Sequence, residues 1–361
     1  MTPSTAQLHG LAPRPLRALL CMSMLCACRT QAIDETPLDP SGGSGAGGGA
    51  GGGGAVGGDI AGVGGAPVGG SGAGGDPSLE SSGPSSAQLL ATTNAPWGLA
   101  VDATTIYVAG QGIPGAGPLV SVPIAGGSPS PLTASSYFTV AIDETRAYWS
   151  DGTTIFSCAK RNCTNSTTTL GRASGGETHG IAVDATSVYW ATTSGGKIMK
   201  VGKNGGAAVT LASGGYPYQV AVDDTNVYWT DERPGTIMKV STSGGVPVQL
   251  ATGQGPMGIA VDGQNVYFTT SDGKMVQVSK NGGTALTLSD ALGNEPWGIA
   301  TDGIHVYGAS MGNGTIVKAP VGGGAVAVLA AGQRAPAGIA VDAAYVYWTD
   351  VDAGTVMRTA K

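Results

Sequence analysis

PYQVAVDDTNVYWTDERPGTIMKVSTSGGVPVQL, residues 217–250, is one copy of a unit that the chain writes seven times. Its marker is a short apolar run ending in aspartate. The run reads GLAVD at 98–102, TVAID at 139–143, GIAVD at 180–184, QVAVD at 219–223, GIAVD at 258–262, GIATD at 298–302 and GIAVD at 338–342. The terminal residues Asp102, Asp143, Asp184, Asp223, Asp262, Asp302 and Asp342 recur every 39 to 41 positions. A fixed period of that length marks a repeat architecture, with room for two helices or four short strands per unit. Composition selects strands. Ile106-Tyr107-Val108, Val188-Tyr189-Trp190, Val227-Tyr228-Trp229 and Val346-Tyr347-Trp348 are β-branched and aromatic clusters suited to a packed pleated surface. Gly and Pro interrupt the chain too often for helices of useful length.

Within the quoted copy, strand a is expected at VAVD, strand b at NVYWT, strand c at TIMKV and strand d at VPVQLA. The c–d connections Lys203–Gly206, Ser243–Gly245 and Lys280–Gly283 read as two-residue hairpins, where Asn-Gly supplies positive φ angles. Seven four-stranded antiparallel sheets can close radially, which protects strand edges from pairing with other chains. The last unit stops at strand c (residues 354–360), and residues 87–92 look like an orphan strand d. Pairing the two completes the ring. The chain is therefore expected to be all-β, a seven-bladed β-propeller over residues 86–361.

Tyr228-Trp229-Thr230-Asp231 and Tyr347-Trp348-Thr349-Asp350 resemble the YWTD repeat of low-density-lipoprotein-receptor-type propellers. The Pro-x-Gly-Ile-Ala-Val-Asp lead-in is similar to that of NHL-repeat propellers. The resemblance covers nearly all of residues 86–361 and implies a propeller fold.

Upstream, Arg14 and Arg17 flank the start of a short apolar run, Leu16 to Ala27, too short to span a bilayer, so residues 1–27 read as an export signal. The run ends Leu25-Cys26-Ala27-Cys28, which resembles a bacterial lipobox. That resemblance implies diacylglyceryl transfer to Cys28, membrane attachment through the lipid alone, and a place in the bacterial cell envelope; an ordinary cleaved signal peptide is the alternative. Arg29 after the cysteine is compatible with outer-membrane sorting in two-membrane bacteria. Residues 28–85 read as a tether: positions 41–75 hold 20 Gly in 35, with a random-coil reach on the order of 30 Å. Cys158 and Cys163 flank the c–d turn of blade two, and in an oxidising compartment they suit a disulfide better than a metal site, which needs more ligands.

Net charge is −6 and no basic stripe exists, which argues against a nucleic-acid partner. In propellers the d–a and b–c loops gather on one face. The position before each strand a holds Trp97, Phe138, His179, Tyr218, Met257, Trp297 and Ala337. The aromatic members, with His179 and Met257, could form a ring that stacks on a glycan or grips an apolar peptide. They could equally fill gaps between blades. His179 has Glu177 nearby as a partner for base catalysis, although such pairs in loops are usually solvated. His305 falls on the opposite face. The seven strand-a aspartates read as turn braces, whose carboxylates accept backbone N–H bonds. Asp151, Asp231 and Asp350 read as braces of the b–c loops. Propeller enzymes of the gluconolactonase or streptogramin-lyase kind resemble this fold, but strand a here offers no ligands for an axial metal. Neither a Gly-x-Ser-x-Gly elbow nor a P-loop is present. The expectation is a monomeric, non-enzymatic, cofactor-free binding module for a protein or glycan partner. The alternatives are a lactonase-like hydrolase or lyase using His179 and nearby carboxylates, and a structural envelope protein.

Overall fold

A computed structural model describes residues 87–110, 117–136, 138–173 and 175–361, all within the unit Pro77–Lys361. The signal-like segment, Cys28 and the glycine-rich stretch lie outside the described residues. Seven four-stranded sheets form the seven blades of a propeller. Blade four shows the pattern: strands a to d are Pro217–Val222, Asn226–Asp231, Thr236–Ser241 and Val248–Thr252, each antiparallel to the next. Blade seven takes strands a to c from Pro336–Val341, Tyr345–Asp350 and Thr355–Ala360, and its fourth strand is Gln88–Thr92. Register runs from Gln88 opposite Arg358 to Thr92 opposite Thr355, so the two ends of the ring are stapled together.

Strand b explains the Val-Tyr-Trp signal. Successive side chains on a strand point to opposite sheet faces. Tyr228 therefore packs toward blade five, with Val266 and Phe268, while Trp229 packs toward blade three, with Tyr189 and Ala191. Both strand faces are buried, and Val227, Tyr228 and Thr230 have no exposed surface. The core is thus a series of inter-blade layers. The last layer joins Leu90, Tyr347 and Val356 of blade seven to Ile106 and Val108 of blade one.

The c–d connections differ from the expected two-residue hairpins. In blade four, strand c ends at Ser241 and strand d begins at Val248. Gly244 N–H donates to the Ser241 carbonyl at 2.8 Å, and the positive φ angles fall on Gly244 and Gly245. The same holds where Asn is present: Gly205, Gly206, Gly282 and Gly283 take positive φ, and Asn204 and Asn281 do not. A wider loop followed by a Gly pair lets the outer strand swing around the blade's twist, which a two-residue turn would not. In blade two the connection carries a one-turn helix, Cys163–Ser166, and Cys158 and Cys163 are joined in a disulfide.

The a–b and c–d connections make up one face of the disc, here termed the turn face. Asp223 shows what the repeated aspartate does there. Its Oδ1 accepts the Thr225 and Asn226 N–H groups at 2.8 Å, and its Oδ2 accepts the Tyr228 hydroxyl at 2.9 Å and Lys280 Nζ of blade five at 2.6 Å. Lys160–Asp102, Lys203–Asp143 and Lys361–Asp302 repeat the inter-blade ion pair. Burial alone would raise the Asp223 carboxyl. The Lys280 ammonium, the two N–H groups and the Tyr228 hydroxyl outweigh that and hold it well below the usual carboxylate range.

Candidate functional site

The opposite face is built from the d–a and b–c loops. Most rim residues sit not ahead of strand a but inside it, at a β-bulge, whereas Phe138 precedes its strand, Val140–Ile142, as expected. The a–b register slips between Pro96 and Leu99, Thr178 and Ile181, Pro217 and Val220, Pro256 and Ile259, and Pro336 and Ile339. A bulge bends its strand and re-aims a side chain. Here it turns Trp97, His179, Tyr218 and Met257 toward the axis. The first residue of most of these strands is proline, where a missing N–H costs no ladder bond.

The following position approaches the next blade. A Cβ on Gly258 would lie 2.6 Å from the Trp297 carbonyl oxygen, and one on Gly98 or Gly338 would meet the carbonyl of Phe138 or Trp97. The Thr of YWTD secures the same place. Thr230 Oγ1 accepts Gln219 N–H at 3.1 Å and donates to the Met257 carbonyl of the next blade at 2.8 Å. Thr269 does so between Gly258 and Pro296. Thr349 takes Gly338 N–H at 2.9 Å and donates across the ring closure to the Trp97 carbonyl at 2.5 Å.

These constraints bring the rim together on the axis as a closed circuit. Ring centroids are 5.1 Å apart for Trp97–Phe138, 4.9 Å for Phe138–His179, 4.7 Å for His179–Tyr218, 5.6 Å for Tyr218–Trp297 and 5.2 Å for Trp297–Trp97. Edge-to-face and tilted pairs at such spacings are each worth about 0.5–1.5 kcal/mol beyond area burial. The candidates therefore form a plate that caps the central channel rather than an open ring around it. Trp97, Tyr218, Met257 and Ala337 are buried in the plate. Phe138, His179 and Trp297 keep part of their surface. Beneath the plate a cavity of about 120 Å³ is lined by Thr139, Gln219 and the aliphatic side chains Ile259, Ile299 and Ile339.

His179 is the one imidazole at the plate, and two carboxylates accompany it. Glu177 Oε2 lies 3.8 Å from Nε2, an ion-pair distance rather than a hydrogen bond. Gln219 Nε2 donates to the His179 carbonyl at 3.1 Å. Glu232, in the b–c loop of blade four, is half-buried. Burial raises its pKa, against the opposing charges of Arg233 and His179. Arg233 stacks at 3.9 Å on the Tyr216 ring, which holds that loop against the d–a loop. Sequence reasoning passed over Glu232. Its signal was Asp231-Glu232-Arg233, a charged cluster in a chain with only 12% charged residues. Asp231 accepts the Tyr216 N–H, and Asp350 accepts Arg334 and Ala335 N–H at 2.8 and 3.0 Å, so both brace d–a loops. Asp151 instead accepts Thr153 and Thr154 N–H within its own b–c turn. His305 opens strand b of blade six at the turn face, against Tyr307. Among the described residues no group of three or more His, Cys, Asp or Glu is placed to hold a metal ion.

No protein-family model matches this chain, and no curated protein matches it. Solved structures do. Selenomethionine-substituted virginiamycin B lyase from Staphylococcus aureus aligns over 76% of this chain and 99% of its own, at 15% identity and TM-score 0.65. A catalytically inactive histidine-to-alanine variant of that lyase with quinupristin aligns over the same shares, at 16% identity and TM-score 0.64. A chain of the nidogen/laminin complex aligns over 60% of this chain and 89% of its own, at 20% identity and TM-score 0.49. At these identities the likeness speaks for the fold. It also corrects the expectation of a non-enzymatic module: propellers of this shape include an enzyme. The missing elbow, P-loop and axial metal ligands are a poor ground for excluding catalysis, because a propeller can assemble a site from loop residues of different blades. The chain is a seven-bladed β-propeller, similar in fold to the virginiamycin B lyase structures.

Proposed function

We propose that the loop face is where the protein meets its ligand, and that His179 with Glu177 and Glu232 performs acid–base chemistry there, of lyase or hydrolase type. The observation that carries this reading is one imidazole at the rim of an aromatic plate, with Glu177 3.8 Å from it and Glu232, in the b–c loop of the next blade, close enough to feel its charge. Glu177 is exposed, whereas Glu232 is withdrawn from water and holds its proton more tightly than an ordinary glutamate. Paired titratable groups pushed apart by environment suit a division into base and acid. The partly exposed rings of Phe138 and Trp297 supply a flat apolar floor for a substrate.

The test is turnover of lactones and esters by the purified protein and by a His179→Gln variant that melts at the parent temperature. General acid–base catalysis predicts a loss of about 10²–10⁴-fold. Equal turnover in parent and variant sinks the reading. A second reading, recognition of a protein or glycan partner on the same face, is favoured by the flat exposed surface of Trp297. It predicts that Trp297→Ala abolishes glycan or envelope-protein capture while any turnover persists. Export, lipid attachment at Cys28, an envelope location and a monomeric state belong to the proposal as well, on the residues 1–28 described above. Mass spectrometry of the N-terminal peptide decides the lipid.

A further inference from the structure

Within a repeated chain, a local departure from the repeat is expected where function overrides folding. Strand a departs from its repeat beside His179. The residue after the rim position is glycine in five blades, Gly98, Gly180, Gly258, Gly298 and Gly338, and a Cβ on any of them would overlap the backbone of the next blade. The two exceptions are Thr139 in blade two and Gln219 in blade four. They stand on either side of the blade that carries His179, and both line the cavity under the plate.

The strand-b hydroxyl that ties the rim together changes at the same place. In blades four, five and seven a threonine donates to a carbonyl at the rim of the next blade: Thr230 to Met257, Thr269 to Pro296 and Thr349 to Trp97. The residue at that position in blade two is Ser150, whose Oγ accepts Gly152 N–H at 2.8 Å. In blade three it is Ala191, which has no hydroxyl. His179 itself falls in the register slip between Thr178 and Ile181. Its carbonyl is held from the following blade, where Gln219 Nε2 donates to it at 3.1 Å. Gln219 N–H donates to Thr230 Oγ1 at 3.1 Å, and that hydroxyl donates to the Met257 carbonyl at 2.8 Å. His179 is thus tied through blade four to blade five. Blade four also supplies Tyr218, whose ring centroid is 4.7 Å from the imidazole, and Glu232, within reach of the imidazole's charge.

We propose that Gln219 is the positioning residue of this site: by holding the His179 carbonyl it fixes the bulge, and so the direction in which the imidazole meets a substrate. A bulge disrupts the ladder around its extra residue and re-aims a side chain, so a single hydrogen bond to its backbone decides that aim. This role rests on the acid–base reading of His179 and extends it to a residue that acts through the histidine.

The test compares Gln219→Met, which keeps the length of the side chain but cannot donate, with Gln219→Gly, the residue that five other blades carry. The His179 ring lies between Phe138 and Tyr218, with centroids 4.9 and 4.7 Å away, so ring currents make its NMR signals sensitive to its direction. Compared on the plateau of its titration, the His179 signals are expected to shift in both variants, and those of His305, on the turn face, to stay. In turnover of lactones and esters, kcat is expected to fall about 10–100-fold in both with KM unchanged, as for a misoriented catalytic group. Parent-like His179 signals and kcat in Gln219→Met overturn the proposal. So does a change confined to Gln219→Gly, which would mean that the side chain only fills space. A rise in KM alone overturns it by placing the amide in substrate binding. If the parent turns over neither lactones nor esters, the acid–base reading fails by itself, and the His179 signals of the two variants still decide whether Gln219 holds the histidine.

Discussion

A single aspartate, repeated, does at residue scale what the whole ring needs on its turn face. Asp143, Asp223 and Asp302 are each buried enough to disfavour charge, yet a lysine from the next blade, two backbone N–H groups and a tyrosine hydroxyl pull each carboxyl well below the usual range. A depressed folded pKa contributes stability that is fully present above the unfolded value of about 4 and is lost as pH falls through the folded value. Asp223→Asn is therefore expected to destabilise the protein by about 1–2 kcal/mol at pH 7. The gap between variant and parent narrows as pH falls below about 4. Urea melts at stepped pH check this, and a gap independent of pH refutes it. The tyrosines mirror the effect: burial and then the Asp102 charge push Tyr107 up to about 12, so its share of stability is lost as pH rises above about 10. On the loop face, Trp97 is buried between Phe138 and Trp297, and Trp97→Ala is expected to cost about 3–5 kcal/mol. Trp297 is only partly buried, so its alanine variant is expected to fold and to cost less than Trp97→Ala, about 1–3 kcal/mol for the two ring pairs with Trp97 and Tyr218. Thermal melts of the two variants check this order.

At the scale of the element, the inner strand carries the fold's least forgiving geometry. Gly258 passes 2.6 Å, by its missing Cβ, from the Trp297 carbonyl of the next blade, and the Thr269 hydroxyl bridges its N–H to the Pro296 carbonyl. Gly258→Ala forces two backbones apart and is expected to cost about 1–3 kcal/mol or more. Thr269→Val keeps the shape but strands a buried N–H and a buried carbonyl, at about 1–3 kcal/mol. If either variant melts like the parent, the inter-blade bridge is dispensable. The same strand shows where the sequence was legible and where it was not. Period, aspartate and Val-Tyr-Trp read directly as a four-stranded unit, because strand b is buried on both faces and its pattern repeats without interruption. The bulge at Trp97-Gly98 was not readable: two adjacent residues without ladder partners leave no periodic trace. So the rim residues were visible as a set, but not that bulges would fold them inward into a plate. Gly244-Gly245 read as a tight turn because Gly marks positive φ, but not how many residues surround it. Glu232 escaped notice because its surroundings form only where the b–c loop meets the d–a loop, with its N–H donated to the Tyr216 carbonyl at 3.1 Å and Arg233 stacked on the Tyr216 ring.

For the whole molecule, closure is made twice, at different radii. Near the axis Thr349 donates to the Trp97 carbonyl, and at the circumference Gln88–Thr92 pairs with Thr355–Ala360. Arg358 adds a bond from Nη1 to the Ile124 carbonyl at 2.8 Å and one from Nε to Gln88 Oε1 at 3.0 Å. A chain that starts at Thr93 keeps the inner closure and the bond to Ile124 but loses the outer strand. Leu90 and Ala91 then leave the layer formed with Ile106, Val108, Tyr347 and Val356, and strand c of blade seven becomes an open edge. Removal of one buried leucine alone costs about 2–5 kcal/mol, or roughly 5–15 °C in melting temperature for a domain of this size. The shortened chain is therefore expected to fold, to melt well below the parent and to self-associate through its bare edge. A peptide spanning residues 86–93, added in trans, is expected to restore the melting temperature with a saturable dependence on its concentration. A shortened chain that melts like the parent, or one that the peptide leaves unchanged, shows instead that the inner closure alone holds the ring.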